Sequence, residues 1–116
     1  QPDIGRVGGL TEARRVCDLA ADRGRLIVPH CWKTGIGIAA SAHLSAATSH
    51  CPYIEFLPAQ LSESALRRDL LADELKMVDG VIALPQKPGL GVELNREALR
   101  HYEAVAAGEP FLKVGN

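Results

Sequence analysis

The chain has 116 residues, of which 47% are hydrophobic and 23% are charged, and its net charge is −1 at pH 7. These values are typical of one folded domain and exclude a disordered chain. The 13 basic residues are mixed with 14 acidic ones, which excludes the basic surface of a nucleic-acid-binding protein, and the apolar stretch 35–47 is too short to span a bilayer.

The first helix is predicted to begin at Thr11, whose side-chain oxygen would cap it, and to end at Gly24. Four residues would form its apolar face because they recur at i, i+3, i+4 and i+7. They are Ala13, Val16, Cys17 and Ala20. Gly8 and Gly9 precede this helix and could offer backbone N–H groups to a phosphate, but they lack the rest of any phosphate-binding motif, so we interpret them as a turn.

Two short apolar runs, residues 26–29 and 53–56, predict strands. The first is continuously apolar, as in a strand buried on both faces, and His30 follows it. An alanine-rich helix is predicted between the two runs, over residues 35–48. The second run carries Glu55 near its end. One polar side chain therefore lies at or near the carboxyl end of each predicted strand.

The pattern then changes to antiparallel structure. Residues 75–78 and 81–84 flank Asp79-Gly80, a dipeptide that tolerates the positive φ values of a type I′ turn. A two-residue β-hairpin is therefore predicted here.

The last predicted element is a helix that Asn95 would cap and that would run to about Ala107. Beyond it, the sequence shows no periodicity. One domain is therefore predicted over residues 1–107, followed by a C-terminal tail over residues 108–116.

Three polar residues follow one another at a similar spacing: Asp3 to His30 is 27 positions and His30 to Glu55 is 25. This spacing is close to the roughly 30 residues of one parallel βαβ unit. In a (β/α)₈ barrel the carboxyl ends of the strands carry the catalytic groups, and a whole barrel needs about 250 residues. The sequence thus predicts an α/β fold that is part of a barrel, with three strands and their helices, a hairpin and a terminal helix.

Four segments resemble, in the same order, the mandelate racemase and muconate lactonizing enzyme type of the enolase superfamily. They are residues 1–11 (QPDIGRVGGLT), 28–32 (VPHCW), 53–56 (YIEF) and 88–93 (PGLGVE). The resemblance runs to about residue 107. It implies that the chain is the C-terminal portion of a TIM-type (β/α)₇β barrel, whose N-terminal part would precede Gln1.

In that family the substrate carboxylate is bound to Mg²⁺, and a base removes the proton α to the carboxylate to give an enediolate. The resemblance implies that His30 is the base, that Asp3 pairs with it, and that Glu55 forms a hydrogen bond with the substrate carboxylate. An imidazole suits this role because it accepts and returns a proton near neutral pH. The family's metal ligands would precede Gln1, so no metal ligand is assigned within this chain and Mg²⁺ is expected to be bound by upstream residues.

Trp32 and Lys33 follow the base and are weaker candidates for substrate binding, because a packed Trp and a solvated Lys are equally consistent with the sequence. Without the resemblance, each catalytic candidate also has a structural interpretation. Asp3 is then a turn residue, His30 a core histidine, and Glu55 a member of a local ion pair.

The resemblance implies that the whole protein is a Mg²⁺-dependent enzyme acting on a hydroxy acid or sugar acid. Dehydration is the first hypothesis, because one His and Asp pair can take the α-proton and then assist departure of the β-hydroxyl. A mandelate-type racemase or epimerase is the alternative, and a truncated or structural fragment that lacks the metal site, inactive by itself, is a third. The expected partners are the acid substrate, the N-terminal part of the same protein and further copies of it. The three cysteines show no CxxC pair and no zinc-site spacing, which predicts a reducing, cytoplasmic location.

Overall fold

The computed structural model describes residues 1–108. Its elements, in chain order, are α1 (Ile4–Val7), α2 (Leu10–Ala21), α3 (Gly35–Ala46), a 3₁₀ turn (Ala59–Leu61), α4 (Ala65–Asp69), β1 (Met77–Val78), β2 (Val81–Ile82) and α5 (Arg96–Gly108). None of these helices is long and apolar enough to cross a membrane. Of the predicted tail, Gly108 still belongs to α5, and the rest lies outside the described residues.

Asp3 starts a short helix that the sequence pattern did not predict. Its Oδ1 accepts a hydrogen bond from Gly5 N at 2.9 Å, which satisfies one of the N–H groups that a helix start leaves unpaired. Helix α1 ends at Gly8, whose φ is 109°, a conformation that favours glycine. The Asp3 side chain therefore fixes the start of α1.

Helix α2 has the predicted apolar face but a different start. Ala13 and Cys17 are fully buried, and the other two residues of that face pack against the core. The helix is capped at Gly9, with no side-chain hydrogen bond, so the predicted cap at Thr11 is wrong. Because the helix already begins at Leu10, Thr11 lies inside the first turn. The helix also ends three residues before Gly24.

Helix α3 is buried on most of its surface, which agrees with its apolar composition. Thr34 caps it, since its Oγ1 accepts a hydrogen bond from Gly37 N at 3.2 Å. Helices α1, α2 and α3 contact one another and enclose the main core. That core consists mostly of small and β-branched side chains: Ile4, Ala13, Cys17, Ile27, Ala40, Leu44 and Cys51.

The three predicted barrel strands lack a regular ladder among residues 1–108. Single backbone hydrogen bonds join the segments instead: His30 N donates to Pro2 O at 3.1 Å, and Glu55 N donates to Pro29 O at 3.2 Å. A regular strand needs repeated hydrogen bonds to its neighbour. Since one hydrogen bond joins each pair of segments, the segments lie side by side without forming a regular sheet. These bonds nevertheless place the segment around residue 29 between the other two.

The C-terminal third contains the predicted hairpin in a shorter form. Strands β1 and β2 pair antiparallel over two residues each, rather than four. The turn residues Asp79 and Gly80 have φ values of 51° and 77°, as a type I′ turn requires. Helix α5 begins after Asn95, whose Oδ1 accepts hydrogen bonds from two backbone N–H groups of the first turn, as predicted.

Candidate active site

Asp3 and His30 are in contact, although they are 27 positions apart. His30 Nδ1 lies 3.1 Å from Asp3 Oδ2, and the backbone bond from His30 to Pro2 holds the two segments side by side. An ionised carboxylate can only accept hydrogen bonds, so the neutral imidazole carries its proton on Nδ1. The lone pair of Nε2 is therefore presented on the opposite side of the ring.

The pKa of the Asp3 carboxyl lies below its ordinary value of 3.8. Burial is the largest single effect and raises this pKa, but hydrogen bonds from His30 and Gly5 and the positive charges of His30 and Arg6 together outweigh it. Arg6 Nε lies 3.6 Å from Asp3 Oδ2. Asp3 is therefore ionised at neutral pH and stabilises an imidazolium at His30.

Glu55 lies on the Nε2 side of the same imidazole. Its Oε2 is 3.7 Å from His30 Nε2 and accepts a hydrogen bond from Cys31 N at 3.2 Å. Because 3.7 Å exceeds a hydrogen-bond length, Glu55 does not occupy the lone pair of Nε2. The side chains of Asp3, His30 and Glu55 are 16%, 35% and 25% exposed, so a small molecule can reach the group from solvent.

Trp32 and Lys33 lie on the loop that follows His30. The Trp32 ring stacks on the His30 ring, with the centroids 5.7 Å apart and the planes inclined by 26°, while 63% of Trp32 remains exposed. Stacked in this way, the indole contacts the base directly. Lys33 is exposed, and its side chain forms no ion pair or hydrogen bond with the described residues.

Cys31 is adjacent to His30 but is not arranged as a nucleophile. Burial, the main effect, raises the pKa of its thiol. The sulfur lies against the start of α3, where a Cβ on Gly37 would be 2.7 Å from Sγ. Its contribution to the site is the backbone N–H that binds Glu55.

Two further histidines and the Gly8-Gly9 turn form hydrogen bonds with backbone groups of the fold. His43 Nε2 lies 3.2 Å from Leu90 O, and His50 Nε2 lies 2.9 Å from Cys17 O. Gly9 N donates to Ile4 O, so this N–H is not available to a phosphate. His30 is therefore the histidine that combines partial exposure with a carboxylate at each ring nitrogen.

A buried charge pair close to the site was not predicted from the sequence. Arg67 Nη1 lies 2.6 Å from Glu74 Oε1, and Arg67 Nη2 donates to Leu57 O at 3.1 Å. Arg67 precedes the buried residues Leu70 and Leu71 by three and four positions. This helical spacing is the one feature of the sequence that could have placed Arg67 on the same buried face.

The described residues do not fit a Mg²⁺ site. Residues 1–108 contain no group of three or more His, Cys, Asp or Glu side chains that could hold a metal ion. Mg²⁺ prefers several oxygen ligands in octahedral geometry, whereas Asp3 is bound to His30 and Gly5, and Glu55 is bound to Cys31. No metal chemistry is therefore assigned to these side chains.

An apolar groove of about 420 Å³ lies elsewhere, between α3, residues 52–56 and the hairpin. None of its lining residues is Asp3, His30 or Glu55. Its lining is mostly aliphatic and aromatic and lacks titratable groups other than Tyr53, so its chemistry is that of a packing surface.

Three separate segments thus bring Asp3, His30 and Glu55 together as a candidate catalytic group. The enolase C-terminal domain-like family matches residues 1–98, which is most of the chain. The chain belongs to this family, and it corresponds to the C-terminal part of an enolase-superfamily protein.

Individual relatives agree with this assignment. The chain is 37% identical over 107 residues to D-galactarolactone cycloisomerase of Agrobacterium fabrum. The crystal structure of the 3,6-anhydro-D-galactonate cycloisomerase from Zobellia galactanivorans matches 88% of the chain with a TM-score of 0.76 and 37% identity. A Salmonella enterica serovar Typhimurium protein provisionally assigned as a dehydratase matches 88% with a TM-score of 0.79 and 28% identity.

The matched region is a minor part of each relative. Each of these matches includes 88% of the chain. It includes 28% of each of the two cycloisomerases and 25% of the Salmonella protein. The chain therefore spans about a quarter of the length of the relatives it matches.

Proposed function

We propose that the chain is the C-terminal part of a longer enzyme that removes the proton α to the carboxylate of a sugar acid and then expels an oxygen from the β-carbon. One observation carries this proposal: the lone pair of His30 Nε2 is presented beside Glu55, while Asp3 binds the opposite nitrogen of the ring. This arrangement contains a base, a group that stabilises its protonated form and a second carboxyl group on the substrate side.

In the first step the α C–H bond breaks, its proton moves to His30 Nε2, and its electron pair forms the enediolate. Asp3, which is already ionised, stabilises the resulting imidazolium through Nδ1. Glu55 is held at Oε2 by Cys31, while Oε1 receives no hydrogen bond from the described residues. Oε1 is the oxygen that we assign to the hydrogen bond with the substrate carboxylate, where negative charge grows.

In the second step the enediolate electrons form a double bond between the α- and β-carbons, and the β C–O bond breaks. The proton on His30 passes to the departing oxygen, so that the base is regenerated. If this oxygen is a hydroxyl group, water leaves and the reaction is a dehydration. If it belongs to a ring, the ring opens, no atoms are lost and the reaction is an isomerisation.

Both outcomes accord with the relatives, of which two are named D-galactarolactone cycloisomerase and 3,6-anhydro-D-galactonate cycloisomerase and one is provisionally a dehydratase. Dehydration remains the first hypothesis and ring opening is the variant that these names add. The Mg²⁺ ion expected from the resemblance would be bound outside this chain. The proposal also retains the expected assembly of several copies and a cytoplasmic location, the latter supported by three cysteines that form no disulfide among the described residues.

The test is proton exchange in the full-length protein. The protein is incubated with Mg²⁺ and a panel of sugar acids and sugar lactones in deuterated water, and mass spectrometry and NMR follow deuterium at the α-carbon and loss of the β-oxygen. His30→Asn should lower the rate by about 100- to 10,000-fold, the usual contribution of a general base. The matched control is His101→Asn, since His101 is exposed on α5 and should leave the rate unchanged.

The products separate the alternatives. Loss of water supports dehydration, and a ring-opened product of unchanged mass supports isomerisation. Inverted configuration with the β-oxygen retained would replace the proposal with racemisation. Absence of exchange with the whole panel, in a protein that binds Mg²⁺, would contradict it and favour an inactive or structural role.

A further inference from the structure

Arg67 is buried more deeply than its chemistry favours. It is 1% exposed and is among the largest fully buried side chains of the described residues. Burying a guanidinium costs desolvation free energy, and a protein with a well-packed apolar side chain at such a position is often at least as stable. The position of its two contacts indicates what this charge contributes.

The first contact supports the segment that carries Glu55. Arg67 Nη2 donates to Leu57 O at 3.1 Å, two residues beyond Glu55. On the other side, Glu55 N is bonded to Pro29 O, directly before His30. Residues 55–57 are therefore held between the segment of the base on one side and Arg67 on the other.

The second contact supports the loop and helix that follow His30. Arg67 Nη1 pairs with Glu74 Oε1 at 2.6 Å, and this oxygen lies so close to Gly35 that a Cβ there would collide with it. Gly35 is the first residue of α3. A carboxylate beside the start of a helix is also favoured by the helix dipole.

Arg67 also acts on the residue between these two segments. Burial is the main effect on the pKa of the Cys31 thiol and raises it, while the positive charge of Arg67 is a minor effect in the opposite direction. The backbone N–H of Cys31 is the group that binds Glu55. One guanidinium thus contacts the segment behind Glu55 directly and the helix behind His30 through Glu74.

We propose that Arg67 is a positioning residue of the active site, which sets the distance between Glu55 and His30 through Leu57 and Glu74. This inference rests on the proposed function. A shift of about 1 Å at a catalytic group can lower a rate by about a hundredfold, so a misplaced Glu55 should reduce kcat. Arg67 does not touch the substrate, so KM should change little.

The test compares three variants of the full-length protein. Arg67→Met with Glu74→Gln removes both charges together, so that neither is left buried without its partner. Arg67→Lys keeps the charge but replaces the two-nitrogen fork that spans Leu57 O and Glu74 with a single ammonium group. The control is Lys87→Met with Glu93→Gln, which removes an exposed pair of similar length, 2.7 Å, away from the site.

The first readout is α-proton exchange. We expect kcat to fall by about ten- to a hundredfold in the double variant, with an intermediate fall in Arg67→Lys and no change in the control, at nearly constant KM. The second readout is the imidazole NMR signal of His30, assigned by its loss in His30→Asn. This signal should move in both Arg67 variants and stay in place in the control.

Each result decides the question. Variants that lose only thermal stability, with kcat and the His30 signal unchanged, would overturn the proposal and leave Arg67 with a purely structural role. If the double variant does not fold, Arg67→Lys decides by the same criteria. If the wild-type protein exchanges no α-proton, the proposed function fails, but the His30 signal still shows whether Arg67 controls the geometry of the site.

Discussion

Asp3 uses its two carboxylate oxygens for two different purposes. Oδ1 caps α1 through Gly5, and Oδ2 pairs with His30. The structural interpretation of Asp3 as a turn residue and the catalytic one are therefore compatible. A sequence pattern could suggest either, but the distance to a histidine 27 positions away depends on the fold.

The charge of Asp3 should appear in the dependence of stability on pH. Since its pKa is lower in the folded than in the unfolded state, Asp3 stabilises the fold above its ordinary pKa, and this stabilisation is lost as the pH falls through the folded value. Urea unfolding at pH 6 and pH 3 should therefore show a smaller loss of stability in Asp3→Asn than in the wild type. Asn retains the cap, so the comparison isolates the charge, and equal losses would contradict the prediction.

A family resemblance in the sequence predicted Asp3, His30 and Glu55, and the structure brings these side chains together. The sequence could not predict the groups that hold them in place. The Cys31 N–H that binds Glu55 is a backbone group, which every non-proline residue has. Arg67 and Glu74 are separated by a turn and an irregular segment, and their pairing depends on how α4 packs. Such contacts have no local pattern in the sequence.

At the scale of the elements, apolar periodicity was more informative than capping residues. The buried faces of α2 and α3 and the cap of α5 could be predicted, because core packing and an isolated Asn before a helix leave clear patterns. The start of α2 could not, because Gly9 and Thr11 are both acceptable caps and the preceding helix α1 decides between them. Helix α4 was missed because five residues contain too few turns to show a period.

Two threonines test this interpretation of the caps. Thr34→Ala should lower the free energy of unfolding by about 1 kcal/mol, because it removes the oxygen that binds Gly37 N at the start of α3. Thr11→Ala, in an exposed first turn where the side chain caps nothing, should change it by less than about 0.5 kcal/mol. Urea denaturation of both variants gives the difference, and equal effects would show that Thr34 does not act as a cap.

At the scale of the whole molecule, the described residues are less compact than a domain of this size. Their radius of gyration is 15.8 Å, against about 13 Å expected for a compact domain. Large apolar side chains are exposed around the hairpin, with Tyr53 72%, Val78 65% and Val81 67% exposed. Length and composition alone predicted one ordinary domain, because neither reports which surfaces remain uncovered.

We therefore expect the 116-residue chain, prepared by itself, to associate at increasing concentration and to bind an apolar dye. Val78→Thr with Val81→Thr should reduce both effects, since the two residues form part of the exposed hairpin surface. Leu19→Gln, which changes a single exposed residue of α2, is the control. Analytical ultracentrifugation measures the association, and a monomer with a cooperative melt and no dye binding would contradict this prediction.

The contact between Gly37 and Cys31 couples two positions whose side chains are not part of the Asp3, His30 and Glu55 group. An alanine at position 37 would place its Cβ 2.7 Å from Cys31 Sγ and so displace the residue whose N–H holds Glu55. The same alanine would not meet this contact if the side chain at position 31 ended at Cβ, as in alanine. Evolutionary change at these two sites should then follow a fixed order, in which the side chain at position 31 becomes smaller before the helix can lose its glycine.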